Sequence, residues 1–125
     1  MNCLLDTHVF LWALADPDKL SPAARQAIQN PDNTVYVSAV TAVEISIKAA
    51  LGKLDAPTGL QEEIRQRGFS ELPLSYSHGE ALRRLADLHA DPFDRLLIAQ
   101  AAEENLVVIT RDEKFRSYPI KLIWT

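Results

Sequence analysis

Four acidic side chains stand where strand-like runs give way to helix-like ones. Asp6 follows Cys3-Leu4-Leu5, and Glu44 lies just beyond Val35-Tyr36-Val37. Asp94 falls within Asp91-Pro92-Phe93-Asp94-Arg95, and Asp112 follows Val107-Val108-Ile109-Thr110. Each is set in apolar sequence, near a strand end or in a helix's opening turns. A buried, unpaired carboxylate is costly, on the order of several kcal/mol, and crowded carboxylates raise one another's pKa. A hard divalent cation with a preference for oxygen ligands, Mg²⁺ or Mn²⁺, relieves both problems. The chemistry such a centre supports is metal-assisted hydrolysis of a phosphodiester. No Cys/His set at zinc spacing competes for this role, and there is no Gly-rich phosphate loop.

The elements that must position these residues alternate. Short apolar runs at Asn2–Leu5, Thr34–Ser38, Phe69–Leu72, Leu106–Thr110 and Ile120–Trp124 read as strands, near-continuously apolar as in a parallel sheet covered on both faces. Helices are expected at Thr7–Ala15, at Pro22–Gln29 behind the Ser21-Pro22 start signal, and through Thr41–Glu44 to about Leu51. Further helices are expected over roughly Thr58–Arg67, after a capping box at Ser77–Glu80, and at Pro92–Glu104 behind Asp91-Pro92, with a short helix between the last two strands. This order indicates an α/β fold with right-handed crossovers. In open parallel sheets ligands bind at the carboxyl ends of the strands, which is where Asp6 and Asp112 fall. Helical spacing puts Glu44 on a face with Val40, Ile47 and Leu51, and Asp94 on one with Leu97, Ile98 and Ala101. Both acids therefore interrupt apolar stripes.

The 125 residues, 47% hydrophobic, suffice for a single domain spanning 1–125 with a genuine core. The lone Cys3 excludes an internal disulfide and reads as a small buried hydrophobe. No signal peptide precedes the first strand and no apolar run reaches membrane-spanning length, so no membrane partner and a cytoplasmic location are expected. Net charge is −4, from 13 Lys+Arg against 17 Asp+Glu. This argues against a broadly basic nucleic-acid surface. Without the four acids the balance is neutral, so the excess negative charge equals the candidate site, and bound metal would cancel it.

Taken singly, each acid has a structural reading. Asp6 is a natural helix cap, Glu44 an i,i+4 partner for Lys48, Asp91 an N-cap, Asp94 a helix-dipole residue and Asp112 a turn residue. Only their joint placement favours a site. His8 and His89 flank the acids and are candidates to touch substrate or water, although lone histidines more often serve packing. Arg95, Arg111, Lys114 and Arg116 neighbour Asp94 and Asp112 and are the cations best placed to meet phosphates.

The chain resembles the PIN-domain ribonucleases, and among them the VapC-like toxins of toxin–antitoxin modules. The matching stretches are Leu4-Leu5-Asp6-Thr7-His8 with Phe10-Leu11-Trp12, Ser38 through Val43-Glu44-Ile45, His89-Ala90-Asp91-Pro92-Phe93-Asp94-Arg95 through Ala101, and Val108-Ile109-Thr110-Arg111-Asp112-Glu113-Lys114-Phe115. The Asp91–Ala101 block is the most specific. The resemblance implies a three-layer α/β/α sandwich around a five-stranded parallel sheet. It puts Asp6, Glu44, Asp94 and Asp112 on an acidic quartet holding Mg²⁺ or Mn²⁺, with Asp6 and Asp94 the firmest ligands. Asp91 becomes auxiliary, Arg95 a neighbouring cation, and Ser38 and Thr110 supporting hydrogen-bonders. It also implies an RNA substrate, a homodimer and a cognate antitoxin protein. Two other readings compete: a non-catalytic protein- or RNA-binding module of the same fold, and a haloacid-dehalogenase-type Mg-dependent phosphatase. The latter is disfavoured because Asp6-Thr7-His8 lacks a second Asp two residues on.

Overall fold

The computed structural model describes residues Met1–Thr125. Five parallel strands, β1 (Asn2–Leu5), β2 (Thr34–Ser38), β3 (Ser70–Leu72), β4 (Val107–Thr110) and β5 (Lys121–Trp124), form one sheet in the order β3-β2-β1-β4-β5. Register pairs Leu4 with Tyr36 on one side and with Val108 on the other, and Leu5 with Ile109. Side chains alternate across the sheet, so Cys3, Leu5, Val35, Val37 and Ile109 join one core, and Leu4 and Val108 the other. On the first face lie α1 (Thr7–Ala15), α2 (Pro22–Gln29) and α4 (Leu60–Gln66), which contribute Phe10, Ala24 and Ile64. On the second face α6 (Pro92–Glu104) supplies Leu97, Ile98 and Ala101, with α5 (Tyr76–Ala81) packed beside it. The helix α3 (Ala39–Ala50) spans the two, placing Val40 in one core and Ile45 in the other. The result is the expected three-layer sandwich. No helix is long and apolar enough to cross a membrane.

Strand order reverses between β1 and β4, and the crevice at such a reversal is where open α/β sheets bind ligands. The ladder continues past the strand ends on this edge, because Asp6 N–H donates to the Ile109 carbonyl at 3.2 Å. Every helix that follows or precedes the central strands begins there. Asp6 caps α1, Ser38 caps α3 directly from the end of β2, and Asp91 caps α6 before Pro92.

Several local expectations need correction. The α3 helix starts at Ala39, so Thr41–Glu44 lies within it and opens no helix of its own, and Ser38 is both the last strand residue and the cap. Its buried face is Val40, Thr41, Glu44 and Ile45, while Ile47 and Leu51 point to solvent together with Val43. Glu44 therefore does not share a stripe with those two residues. The capping box before α5 is built on Ser75 and His78, not on Ser77 and Glu80. The third strand begins at Ser70, with Phe69 turned instead against Phe10 at 6.5 Å between ring centres.

A buried polar group fixes how α6 sits. Gln100 is fully buried, and its Oε1 accepts the Ser38 hydroxyl at 2.5 Å while its Nε2 donates to the Pro73 carbonyl at 3.2 Å. One side chain thus ties α6 to the starts of both α3 and the segment leading to α5. Removing it leaves buried partners unsatisfied, which costs more than the bonds contribute. Replacing Gln100 by Ala is expected to lower stability by about 2–4 kcal/mol in urea unfolding, against less than about 0.5 kcal/mol for exposed Gln26→Ala.

Candidate metal centre

Asp94 stands at the middle of the carboxyl edge. It occupies the first turn of α6, with Leu97, Ile98 and Ala101 buried beneath it as the helical spacing required. Burial, and then the charges of Asp91, Glu44, Asp6 and Asp112, push its pKa up to about 8. All four expected acids therefore share one electrostatic neighbourhood, and Asp94 bears most of its strain. A carboxyl shifted this far by burial and like charge, at the carboxyl edge of the sheet, makes Asp94 the leading candidate for a functional group.

The remaining acids are held by named partners. Asp6 is 6% exposed, its Oδ1 accepting the Val9 N–H at 2.8 Å and its Oδ2 the Thr110 hydroxyl. Burial raises its pKa, offset in part by those two hydrogen bonds. Thr110 also accepts the Asp112 N–H at 3.0 Å, so one hydroxyl joins two of the acids. Glu44 is 3% exposed, with Oε1 accepting the Thr7 hydroxyl at 2.7 Å and Oε2 facing the Lys48 ammonium. That hydrogen bond, working against burial, raises the Lys48 pKa and keeps it charged. Asp91 Oδ1 accepts the N–H groups of Phe93 and Asp94, so it holds the helix start that carries Asp94.

Asp112 and His89 complete the open side. His89 Nε2 hydrogen-bonds Asp112 Oδ2 at 3.0 Å and lies 3.0 Å from Asp94 Oδ2. The ligand atoms of these three residues fall within 4.8 Å of one another, the spacing of a metal site. The ring's other nitrogen, Nδ1, accepts the Asp91 N–H at 3.2 Å. In a neutral ring Nε2 then carries the proton, which makes His89 a donor that aligns the two carboxylates rather than a metal ligand. Burial pushes Asp112 up, but the Lys114 amide and His89 outweigh it and hold its pKa below the ordinary value. His89 itself is buried and anchored. The Tyr118 hydroxyl accepts the N–H groups of Leu88 and His89 and donates to the Ala86 carbonyl at 2.8 Å, and the His89 ring meets the Phe115 ring edge-on.

The donor set is oxygen-rich, negative and partly dry, which fits a hard divalent cation and not a thiolate-loving one. Asp94 and Asp112 are the carboxylates that face the open side, while Asp6 and Glu44 are buried; both oxygens of Asp6, Glu44 and Asp112 accept protein donors, and Asp94 meets only His89. Thr110 supports Asp6 as the resemblance implied. Ser38 does not touch the acids; its hydroxyl caps α3 and donates to Gln100. Arg95 forms no ion pair, and its Nε is shielded from solvent without a partner. Arg111 is a structural clamp, bonded to the Thr125 and Lys19 carbonyls and stacked 4.2 Å from the Trp12 ring centre, and Arg116 lies over Trp124 at 4.0 Å. His8 is exposed on α1 and lowers the Asp6 pKa slightly through its charge. Thr7 and Tyr118 were not singled out by the sequence, since a hydroxyl hub has no motif; the sole trace of Lys48 was its i,i+4 spacing from Glu44.

The chain is similar throughout its length to known proteins. A family model described as "PIN domain" matches residues 3–121. A protein of Mycobacterium tuberculosis, Ribonuclease VapC22, is 34% identical over 92% of this chain and 90% of its own length. Among solved structures, the DNA-bound VapBC of Salmonella typhimurium aligns at a TM-score of 0.74 with 19% identity, covering 99% of this chain and 98% of the other. VapBC-5 of Mycobacterium tuberculosis, a member of the VapBC family of toxin–antitoxin systems, aligns at 0.59 with 20% identity over 98% and 96%. At those identities the structural likeness concerns the fold.

The Asp94 shift sets a pH dependence. Unfolded, this carboxyl titrates near its ordinary 3.8; folded and metal-free, it titrates near about 8. Between those values the folded protein binds the extra proton, so the stability Asp94 allows is greatest at low pH and is lost as pH rises to about 8. Thermal unfolding in EDTA should show wild-type protein losing stability from about pH 5 to about pH 8, with a flatter profile in Asp94→Asn.

Proposed function

The chain belongs to the PIN-domain family, and from that premise we propose that it is a divalent-metal-dependent endoribonuclease, the toxin of a toxin–antitoxin pair. The observation that carries this reading is Asp94, a carboxyl pushed up to about 8 by burial and by four neighbouring acids at the switch point of a parallel sheet. The kinship with Ribonuclease VapC22 at 34% identity gives the reaction its direction. We take the ion to be Mg²⁺ or Mn²⁺, bound directly by Asp94 and Asp112, with Asp6 and Glu44 as the deeper members of the set. A bound ion of this kind supplies Lewis acidity toward a phosphoryl oxygen and an activated water.

The chain's own residues then have distinct tasks. Asp91 fixes the helix turn bearing Asp94, His89 aligns Asp94 with Asp112, and Thr110 couples Asp6 to the backbone of Asp112. Asp94 gives up its proton when a cation replaces it. Arg95 directly follows Asp94 and its Nε has no hydrogen-bond partner, and this reading assigns it the task of meeting a substrate phosphate. Protein partners have a surface as well: Val43, Ile47 and Leu51 project from α3 on one exposed line. An antitoxin and a second copy of the chain are the partners this reading assigns, with the cytoplasm as the place of action.

Purified protein should cleave RNA in Mg²⁺ or Mn²⁺ and stop in EDTA, and Asp94→Asn should lower the rate by about a thousandfold, equivalent to several kcal/mol. Cleavage undiminished by either change would refute the reading. Arg95→Ala should raise KM for RNA by about tenfold while leaving divalent-ion affinity unchanged. In cells, expression should arrest growth, with relief from the neighbouring antitoxin gene and from Asp94→Asn.

A further inference from the structure

The least expected charge in the centre is positive. Lys48 follows Glu44 by one helical turn on α3, and its Nζ pairs with Glu44 Oε2. Ordinary i,i+4 pairs lie on solvated helix faces and hold loosely. Here the acid is only 3% exposed and its other oxygen already accepts the Thr7 hydroxyl at 2.7 Å, itself in contact with the Thr41 hydroxyl. The ammonium has a second anchor, since Nζ lies 6.0 Å from the centre of the Phe93 ring. Phe93 immediately precedes Asp94 on α6, so the lysine bridges the two helices that bring Glu44 and Asp94 to the centre.

We propose that Lys48 is the centre's built-in second cation: it neutralises Glu44, so the acidic set takes one divalent ion, at Asp94 and Asp112, and not two. This rests on the nuclease reading above and deepens it. Two ions would need carboxylate oxygens on both sides of the crevice. On the inner side those of Asp6 accept Val9 N–H and the Thr110 hydroxyl, and those of Glu44 accept Thr7 and Lys48. On the outer side Asp94 meets only the His89 ring nitrogen, and Asp112, which accepts the Lys114 N–H and His89, is the most exposed of the four acids. Lys48 thus cancels the charge of Glu44 on the inner side and leaves Asp94, toward the open side, as the carboxylate with the least protein support. As a compact, strongly hydrated point charge on a flexible stem it can serve where a bidentate guanidinium is not required. It is a positioning residue for charge and needs no contact with the reacting atoms.

The test is direct counting of Mn²⁺ by equilibrium dialysis of the full chain, with the bound ion followed by electron paramagnetic resonance. Wild type and Lys48→Arg should each bind about one Mn²⁺ per chain, and Lys48→Met, freeing Glu44, about two. Lys48→Gln serves as a second uncharged variant if Lys48→Met proves unfolded by circular dichroism. Two ions in wild type, or a single ion in a folded uncharged variant, would overturn the proposal. RNA cleavage run in parallel separates the two levels of inference. Two bound ions with EDTA-sensitive cleavage removes the role of Lys48 and leaves the nuclease; one ion with no cleavage of any RNA removes the nuclease instead.

Discussion

Crowded negative charge at one edge of the sheet is the constraint from which the rest of this structure follows. The topology brings β1 and β4 together at the centre, and the helices that begin at that edge carry acids in or near their opening turns. The fold gains no stability from this: burial and mutual repulsion hold Asp94 in its protonated form well into the neutral range. Such an arrangement persists because every other group around it is tied down. Two helix caps, the Thr110 hydroxyl, the Gln100 bridge and the Tyr118 hub all restrain backbone that the repulsion would otherwise push apart.

The acids are not equivalent, although their residue types suggest that they are. Asp6 and Glu44 are sunk in the protein with each oxygen accepting a hydrogen bond, so they act mainly through their field and through the groups they fix. Asp94 and Asp112 are more open and share one ring nitrogen of His89. The resemblance made Asp6 and Asp94 the firmest ligands; both oxygens of Asp6 accept protein donors, whereas Asp94 meets only the His89 ring nitrogen. The same division gives His89 a defined duty. Its tautomer follows from the Asp91 amide on Nδ1, and the remaining N–H points at the two carboxylates that face solvent.

Much of this architecture was legible in the sequence. The first and second strands and the helices Thr7–Ala15, Pro22–Gln29 and Pro92–Glu104 match to the residue, because Ser21-Pro22 and Asp91-Pro92 are strong start signals and Asn105 ends the last helix in the left-handed region. Asp94 was legible too, being polar at a position where spacing demands burial. What failed did so for physical reasons. Ser38 ends β2 and caps α3 at once, so the capping-box spacing at Thr41–Glu44 drew attention to a point inside the helix and not to its start at Ala39. Ile47 and Leu51 look like core by composition, yet they face outward because α3 lies across the sheet's two faces with Glu44 inside. Ser75 prevailed over Ser77 because the buried His78 ring, and not Glu80, returns the capping bond. His89 was a candidate by its place beside Asp91, but its bond to Asp112 and the Tyr118 hub behind it are tertiary contacts between residues about twenty to thirty positions apart, which no local pattern encodes.

The central claim is that one divalent ion replaces a proton on Asp94. Calorimetric titration of Mn²⁺ into metal-free protein at about pH 7, repeated in buffers of different ionisation enthalpy, counts the protons released. Because Asp94 is held near about 8 in the empty centre, binding should expel close to one proton per ion, and Asp94→Asn should bind far more weakly without releasing it. Tight binding that expels no proton, or that survives Asp94→Asn unchanged, would contradict the account.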